Sequence, residues 1–386
     1  MAVAYPFVKV NLDASGLTPI ATRSPGVVAI VGVSDKGTAA AKMPTVVDGP
    51  AEAATAFGDD TPLGRSLNVA LKQQPSPSKV YGLKVAADDE ASWKEALDIL
   101  SGVKDVTFVA AAEKPIGAGG GFDPVLLVKK HCEDNAADGQ PRIAVAEVNP
   151  ATGRSPTYVG DITGLLAPYV SDRGRLVLVA ARGAKYDDGK DADVAAAAVG
   201  AIAGRAPETS IVLKVVSGFK IADDQKYGPS EIKGLAEAKV VPIIDPILIP
   251  GESLHFADGT SLASEDAFKY VDTVRLLDDI DFALKASLVE LIGDARITRT
   301  GLNTVRRQLE AVLDEYVSRQ AITGYQVVID LLPILDRPES SWSDGERLAV
   351  RKARGERLVT STAVVVIGPA IHQLVINLQP TFVAAA

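Results

Sequence analysis

The residue types that could do chemistry are few, and their spacing decides against most of it. The glycine cluster GAGGGF, Gly117 to Phe122, falls between an expected strand and an expected helix, where a phosphate-binding loop would present its backbone N–H groups. No Lys-Ser/Thr follows it, and in G-x-G-x-x-G register the third glycine position is Phe122. It reads as a surface loop. His131, His255 and His372 stand apart from one another, with no Cys, His or carboxylate at ligand spacing, so no metal site is expected. His372 opens an apolar stretch and reads as a packed or interface residue. There is no G-x-S-x-G elbow and no H-E-x-x-H, and no pair of carboxylates stands out. Nothing here supports an enzyme, and no cofactor is expected.

Two charged features remain, and each has two readings. Asp278, Asp279 and Asp281 lie on an expected helix with an apolar opposite face. They form either a solvated surface or a patch meeting a neighbouring subunit. The segment SDGERLAVRKARGER, Ser343 to Arg357, read as a helix, sets Arg347, Arg351 and Arg354 along one face, with Lys352 and Arg357 beside them. It is either a solvated helix with internal Glu–Arg pairs or a docking surface for an acidic partner.

The elements that would carry these residues alternate along the chain. Val27 to Val33 is a nearly continuous β-branched apolar run, the mark of a strand buried on both faces. A short strand and a helix follow from Pro44, with Asp48 as the expected cap. Next come a helix at 63–72 and a strand at 79–85. The expected pairs of helix and strand are then 91–101 with 107–111, 125–133 with 142–147, and 161–170 with 175–180. A helix at 193–202 and strand-like runs at 211–216 and 239–244 complete the alternation. The pattern predicts a layered α/β body with largely parallel strands.

From Glu265 to Leu291 an apolar stripe (Tyr270, Val274, Leu277, Ile280, Leu284, Leu288, Leu291) predicts a long amphipathic helix. A second helix is expected at 302–320, with Asn303 or Thr300 as its cap, and a strand at 325–332.

Composition bounds the function. The chain has 386 residues, 47% hydrophobic and 23% charged, enough for a well-buried core in two or three domains. A net charge of −9 disfavours a general nucleic-acid binder. A single cysteine, Cys132, excludes an intrachain disulfide and fits assembly in a reducing cytoplasm. The N-terminus MAVAYPFVKV argues against a cleaved signal peptide, and no apolar run reaches membrane-spanning length.

The order of these pieces resembles one family. YVDTVRLLDDIDFAL from Tyr270, GLNTVRRQLEAVLDEYVSRQAITG from Gly301, YQVVIDLLP from Tyr325 and QLVINLQPTF from Gln373 resemble the C-terminal part of contractile-tail sheath proteins. The run from PGVVAIVGVSDKG at Pro25 to the strand at 79–85 resembles their N-terminal part. The resemblance implies stacked hexameric rings around an inner tube, with each subunit sending terminal arms to its neighbours by strand addition. The matching arm residues here are Phe7, Val8, Val10 and Leu12 at one end and Gln373, Leu374, Val375, Ile376 and Leu378 at the other.

The family places its C-terminal domain nearest the tube, so Arg347, Arg351, Lys352 and Arg354 are the expected tube contact. Implied partners are neighbouring sheath subunits, the inner tail tube protein, and baseplate and tail terminator proteins, with neither nucleic acid nor membrane. The particle would be built in the host cytoplasm and serve as a virion tail or a phage-tail-like device. The organisation expected is an arm at 1–22, an N-terminal α/β segment at 23–90, a central α/β domain at 91–262, a sheath domain at 263–369 and an arm at 370–386. The rival reading, a Rossmann-like nucleotide-binding enzyme, rests on the alternating central region and on Gly117–Gly121.

Overall fold

The computed structural model describes residues 24–117, 121–251 and 253–372. The expected arm strands at Phe7–Leu12 and Gln373–Leu378 lie outside the described residues. Two compact units emerge, one of residues 24–279 with 367–372 and one of residues 280–366.

The larger unit is organised by strands buried on both faces. In β1 (Val27–Gly32) every residue is buried. Val28 and Ile30 enter one apolar core, and Val27, Ala29 and Val31 enter another, which is what an alternating pleat between two helical layers requires. β2 (Thr45–Val47) is followed by α1 (Pro50–Phe57) and α2 (Pro62–Leu71), then by β3 (Lys79–Lys84) and α3 (Glu90–Ser101). β4 (Phe108–Ala111), α4 (Pro124–Ala137), β5 (Ile143–Glu147), α5 (Tyr158–Leu165), β6 (Leu176–Ala180) and α6 (Val194–Ala203) continue the alternation. β7 (Val215–Val216), α7 (Pro229–Glu237), β8 (Val241–Ile244), β9 (Leu254–Phe256) and α8 (Val271–Leu288) follow.

Among the described residues the nine strands form one sheet in the order β2-β3-β1-β4-β5-β6-β8-β9-β7. β3, β1, β4, β5, β6 and β8 run parallel, and β2, β9 and β7 join antiparallel at the margins. Side chains of α1, α2 and α6 fill one core, and those of α3, α4, α5 and α7 fill the other. The result is a three-layer, doubly wound α/β body. Gly82 in β3 is a packing requirement, since a Cβ there would fall 2.4 Å from the Phe57 ring.

Several local expectations need correction. α1 is capped at Gly49 without a side-chain bond, not by Asp48, whose own N–H donates to Glu52. The helix expected at 161–170 is α5, three residues earlier, followed by a single 3-10 turn at Ala167–Tyr169. The run 211–216 yields only the two-residue β7, because Leu213 takes a positive φ of 56° that breaks the extended backbone.

In α8 the buried face is Val271, Val274, Leu276 and Ile280 with Arg275, whereas the expected Leu277 is only half-buried. α8 also straddles the boundary between the units, which falls at 279/280 where the sequence reading drew it at 262/263. The physical reason is that Val271 and Val274 belong to a core of the larger unit. Residues 23–90 and 91–262, read as separate segments, share one sheet through β1 and β4.

The smaller unit contains α9 (Arg299–Ser318), β10 (Ile322–Ile329), α10 (Leu332–Leu335), α11 (Asp344–Glu356) and β11 (Ser361–Ile367). Thr298, not Thr300 or Asn303, caps α9 by accepting from Gly301 N. The apolar stripe of α9 buries Leu302, Leu309, Val312, Leu313 and Tyr316. Leu302 packs with Ile329, Leu331, Leu332, Trp342 and Val350 in a core of the unit's own. The strand expected at 325–332 starts and ends earlier, and Leu332 already belongs to the helical turn α10, with Pro333 in its first turn.

Candidate assembly interface

In an open doubly wound sheet, ligands bind at the carboxyl ends of the strands, at the switch point in strand order. That point lies here between β1 and β4, and the chain closes it with its own side chains. Beyond β4, Glu113 is held by Arg65 in a fork of 2.6 and 2.7 Å. Beyond β5, Asp193 caps α6 by accepting from Ala196 N at 2.8 Å, and it also receives Ser66 Oγ and Glu113 N.

Glu147, the last residue of β5, takes the next two N–H groups of that helix end, Val194 at 2.5 Å and Ala195 at 3.1 Å. A helix N-terminus that could bind a phosphate is thereby occupied by two buried carboxylates. Burial, and for Glu147 the charge of Asp193, raises the pKa of both.

Beyond β6, Arg182 is fully buried and lies 4.7 and 4.8 Å from the ring centres of Tyr158 and Tyr227. It binds Glu231 at 2.6 Å and the carbonyl of Gln225 at 3.2 Å. None of these residues was singled out in the sequence, because segments far apart along the chain supply them.

The glycine cluster fares no better as a phosphate loop. Gly117 and Gly121 border a cleft of about 590 Å³ lined by Asp88, Glu113 and Asp123 as well as Lys114. Asp123 occupies the N-terminus of α4, accepting from Val125 N and Leu126 N, and Tyr169 donates to its other oxygen. Asp88 pairs with Lys114 and Glu113 with Arg65, so the two cations beside the loop are already taken by carboxylates.

The histidines are likewise absorbed internally. His131 lies 2.7 Å from the buried Arg142, and its pKa is pushed down to about 4 by burial and then by that guanidinium. His255 is buried, 3.0 Å from the Ser253 carbonyl. Of the acidic run, Asp278 is not a solvated or subunit-facing group, because Arg175 grips it at 2.6 and 2.9 Å, and Asp281 pairs with Lys285.

What stays open is in the smaller unit. Among the described residues, β10 and β11 form a sheet of two strands only. Ile322 and Ile329 at the ends of β10 are buried, whereas β11, with the sequence STAVVVI, has no buried residue. Val364 and Val366 are 49% and 54% exposed. A two-stranded ribbon is marginal alone, and apolar strands with free edges are templates for a further strand.

The basic helix is exposed beside its own acids. Ser343 and Glu346 make a capping box for α11, and Arg347, Arg351, Lys352 and Arg354 are all exposed. Arg347 Nε donates to the Trp342 carbonyl and Arg354 Nε to that of Ile297. Lys352 lies 3.9 Å from Glu356, and Arg351 has no ion partner among the described residues. The helix thus displays net positive charge held in place by backbone contacts, as either reading of the segment allows.

No protein-family model matches the sequence, and no curated protein does. Solved structures match it along its length. The anti-feeding prophage helical sheath in the contracted state aligns with a TM-score of 0.68 at 13% identity, covering 98% of this chain and 99% of that one. The fold is that of contractile-sheath proteins.

The sheath complex of an extracellular contractile injection system, PVC, in its contracted state gives 0.68 at 12% identity, covering 99% of each chain. The sheath tail protein of Listeria innocua gives 0.60 at 12% identity, covering 92% of this chain and 97% of that chain. The match to the sheath fold thus extends over nearly the whole chain.

Proposed function

We propose that the chain is the structural subunit of a contractile sheath. It polymerises as stacked hexameric rings around an inner tube and contracts to drive that tube through a target envelope. The observation that carries the reading is the β10–β11 ribbon, which among the described residues is a sheet of two strands whose second strand buries no residue, in a protein of sheath fold. Terminal strands from neighbouring copies, Phe7–Leu12 and Gln373–Leu378, complete that ribbon. Main-chain hydrogen bonds supply affinity, and alternate side chains supply register.

The smaller unit faces the tube, and Arg347, Arg351, Lys352 and Arg354 grip acidic groups on it through screened, reversible attraction. Baseplate and terminator proteins bound the polymer, which assembles in the host cytoplasm. Contraction draws on a metastable extended state and needs no nucleotide. The self-occupied carboxyl edge of the sheet supports this over a nucleotide-binding enzyme.

Electron microscopy of the purified chain tests the reading, with rings or tubes as the expected result. A monodisperse monomer that binds nucleotide would sink it. Deleting residues 1–19 or 370–386 should leave the body folded and abolish polymerisation. Extended tubes from the truncated chain would refute strand addition.

A further inference from the structure

After β11 the chain returns to the larger unit, and one side chain makes the return specific. His372 Nε2 lies 2.9 Å from Ser210 Oγ. Its ring stands at 88° to that of Tyr270, with centroids 4.9 Å apart. The preceding residue, Ile371, is 82% exposed, so the attachment is made by the imidazole and not by a packed segment.

The seat is built from two separate places in the body. Ser210 belongs to the connection between α6 and β7, and Tyr270 stands at the start of α8. Tyr270 is fixed by a backbone bridge to Thr260. Ser210 Oγ accepts from Val212 N at 3.3 Å, so the hydroxyl is held between that N–H and the imidazole. Asp272 accepts from Thr273 N and has no hydrogen bond to His372 among the described residues, so Ser210, His372 and Asp272 are not wired as a nucleophile, base and carboxylate.

We infer that Ser210 and Tyr270 form a seat for His372 that fixes the chain immediately ahead of residue 373, where the segment proposed above to join a second copy begins. The inference rests on the sheath reading and deepens it. Side chains alternate along a strand with a period of two, so a slip of one residue presents the wrong face of an added strand to its acceptor. An anchor immediately before Gln373 removes that freedom. His372 is then a positioning residue for the arm, acting through the backbone that follows it.

The test uses the full chain and two readouts. The protein has three histidines, so selective imidazole labelling gives three NMR signals, and His372→Ala assigns one of them. In the unassembled chain that signal should be displaced from the free-histidine position by the Tyr270 ring. It should relax toward that position in the Ser210→Ala/Tyr270→Leu double variant. Assembly is read by electron microscopy. His372→Ala should lower the yield of regular tubes about tenfold, the weight of one hydrogen bond and one aromatic contact. His372→Gln, which can still bond Ser210, should recover part of it.

A His372 signal at the free position in the native chain overturns the seat. An intact seat with tubes unaffected by His372→Ala overturns its role in placing the arm. Native chains that build no tubes on an inner tube and baseplate overturn the sheath reading, and the arm role with it, whereas the spectrum still judges the seat.

Discussion

Replacing Glu147 probes the closed edge of the sheet most directly. Glu147 is 2% exposed, and one of its oxygens accepts from both Val194 N and Ala195 N. Glu147→Ala strands those two N–H groups in a buried place, at about 1–3 kcal/mol each, so a loss of about 2–6 kcal/mol is expected at low pH, where the carboxyl is protonated, and it shrinks as pH rises. Glu147→Gln keeps a carbonyl oxygen for both donors and removes only the ionisation.

Burial, then the neighbouring Asp193 charge, raises the folded-state pKa of Glu147, so the folded protein holds a proton that the unfolded chain releases. The stability contributed by this group is complete below the unfolded glutamate value of about 4.3 and is lost as pH rises toward the raised folded value. Within that window the native chain should lose about 1.4 kcal/mol per pH unit relative to Glu147→Gln. Urea unfolding of the two proteins side by side from about pH 4 to about pH 8 reads this difference, since other titrating groups cancel. A difference that stays flat with pH, or that favours the native chain as pH rises, would refute the assignment.

Three further outcomes follow from the geometry. Glu231→Ala leaves the Arg182 guanidinium buried without its carboxylate and should destabilise the fold by about 3 kcal/mol, the low end for a broken buried pair because two tyrosines and a carbonyl still hold it. An effect below about 1 kcal/mol in urea unfolding would mean the pair is not closed off from water. Val364→Lys and Val366→Asp on β11 should each change stability by less than about 0.5 kcal/mol, as exposed positions do, yet abolish tubes in sedimentation and microscopy. Normal tubes from either variant would place the joint elsewhere. Replacing Arg347, Arg351 and Arg354 together by Glu should block assembly on the inner tube and leave tube-free polymers intact. Native-looking extended particles from the triple variant would return α11 to a solvated helix.

The doubly wound body was legible because parallel strands buried on both faces read as unbroken apolar runs, as Val27 to Val31 and Leu176 to Val179 do. α7 was missed because Gly228, Pro229 and Ser230 look like a turn. The usable signal was Pro229 in the first turn with Glu231 reaching back to Gly228 N at 2.9 Å, an N-terminal signature. β9, three residues long, has no periodicity to detect. Asp278 was misread for a different reason. Its partner Arg175 is 103 residues away, and helical spacing carries no information about such a neighbour. The basic helix and the apolar ribbon are local in sequence, and so they, unlike the closed edge, could be anticipated.

Closure and openness fall in different places for a physical reason. A sheet whose carboxyl edge held unpaired N–H groups would invite any anion, and a ligand bound there would add a stabilising free energy that varies with its concentration. Glu147, Asp193, the Arg65–Glu113 fork and the Arg182–Glu231 pair fill that edge here. The β10–β11 ribbon, a sheet of two strands only among the described residues, is the reverse case. Free edges there are a hazard for a solitary protein, and they are useful only where a defined strand arrives from another copy. Among the described residues, internal charges close the crevice of the larger unit while β11 keeps its apolar side chains exposed, the arrangement that the proposed association between copies would use.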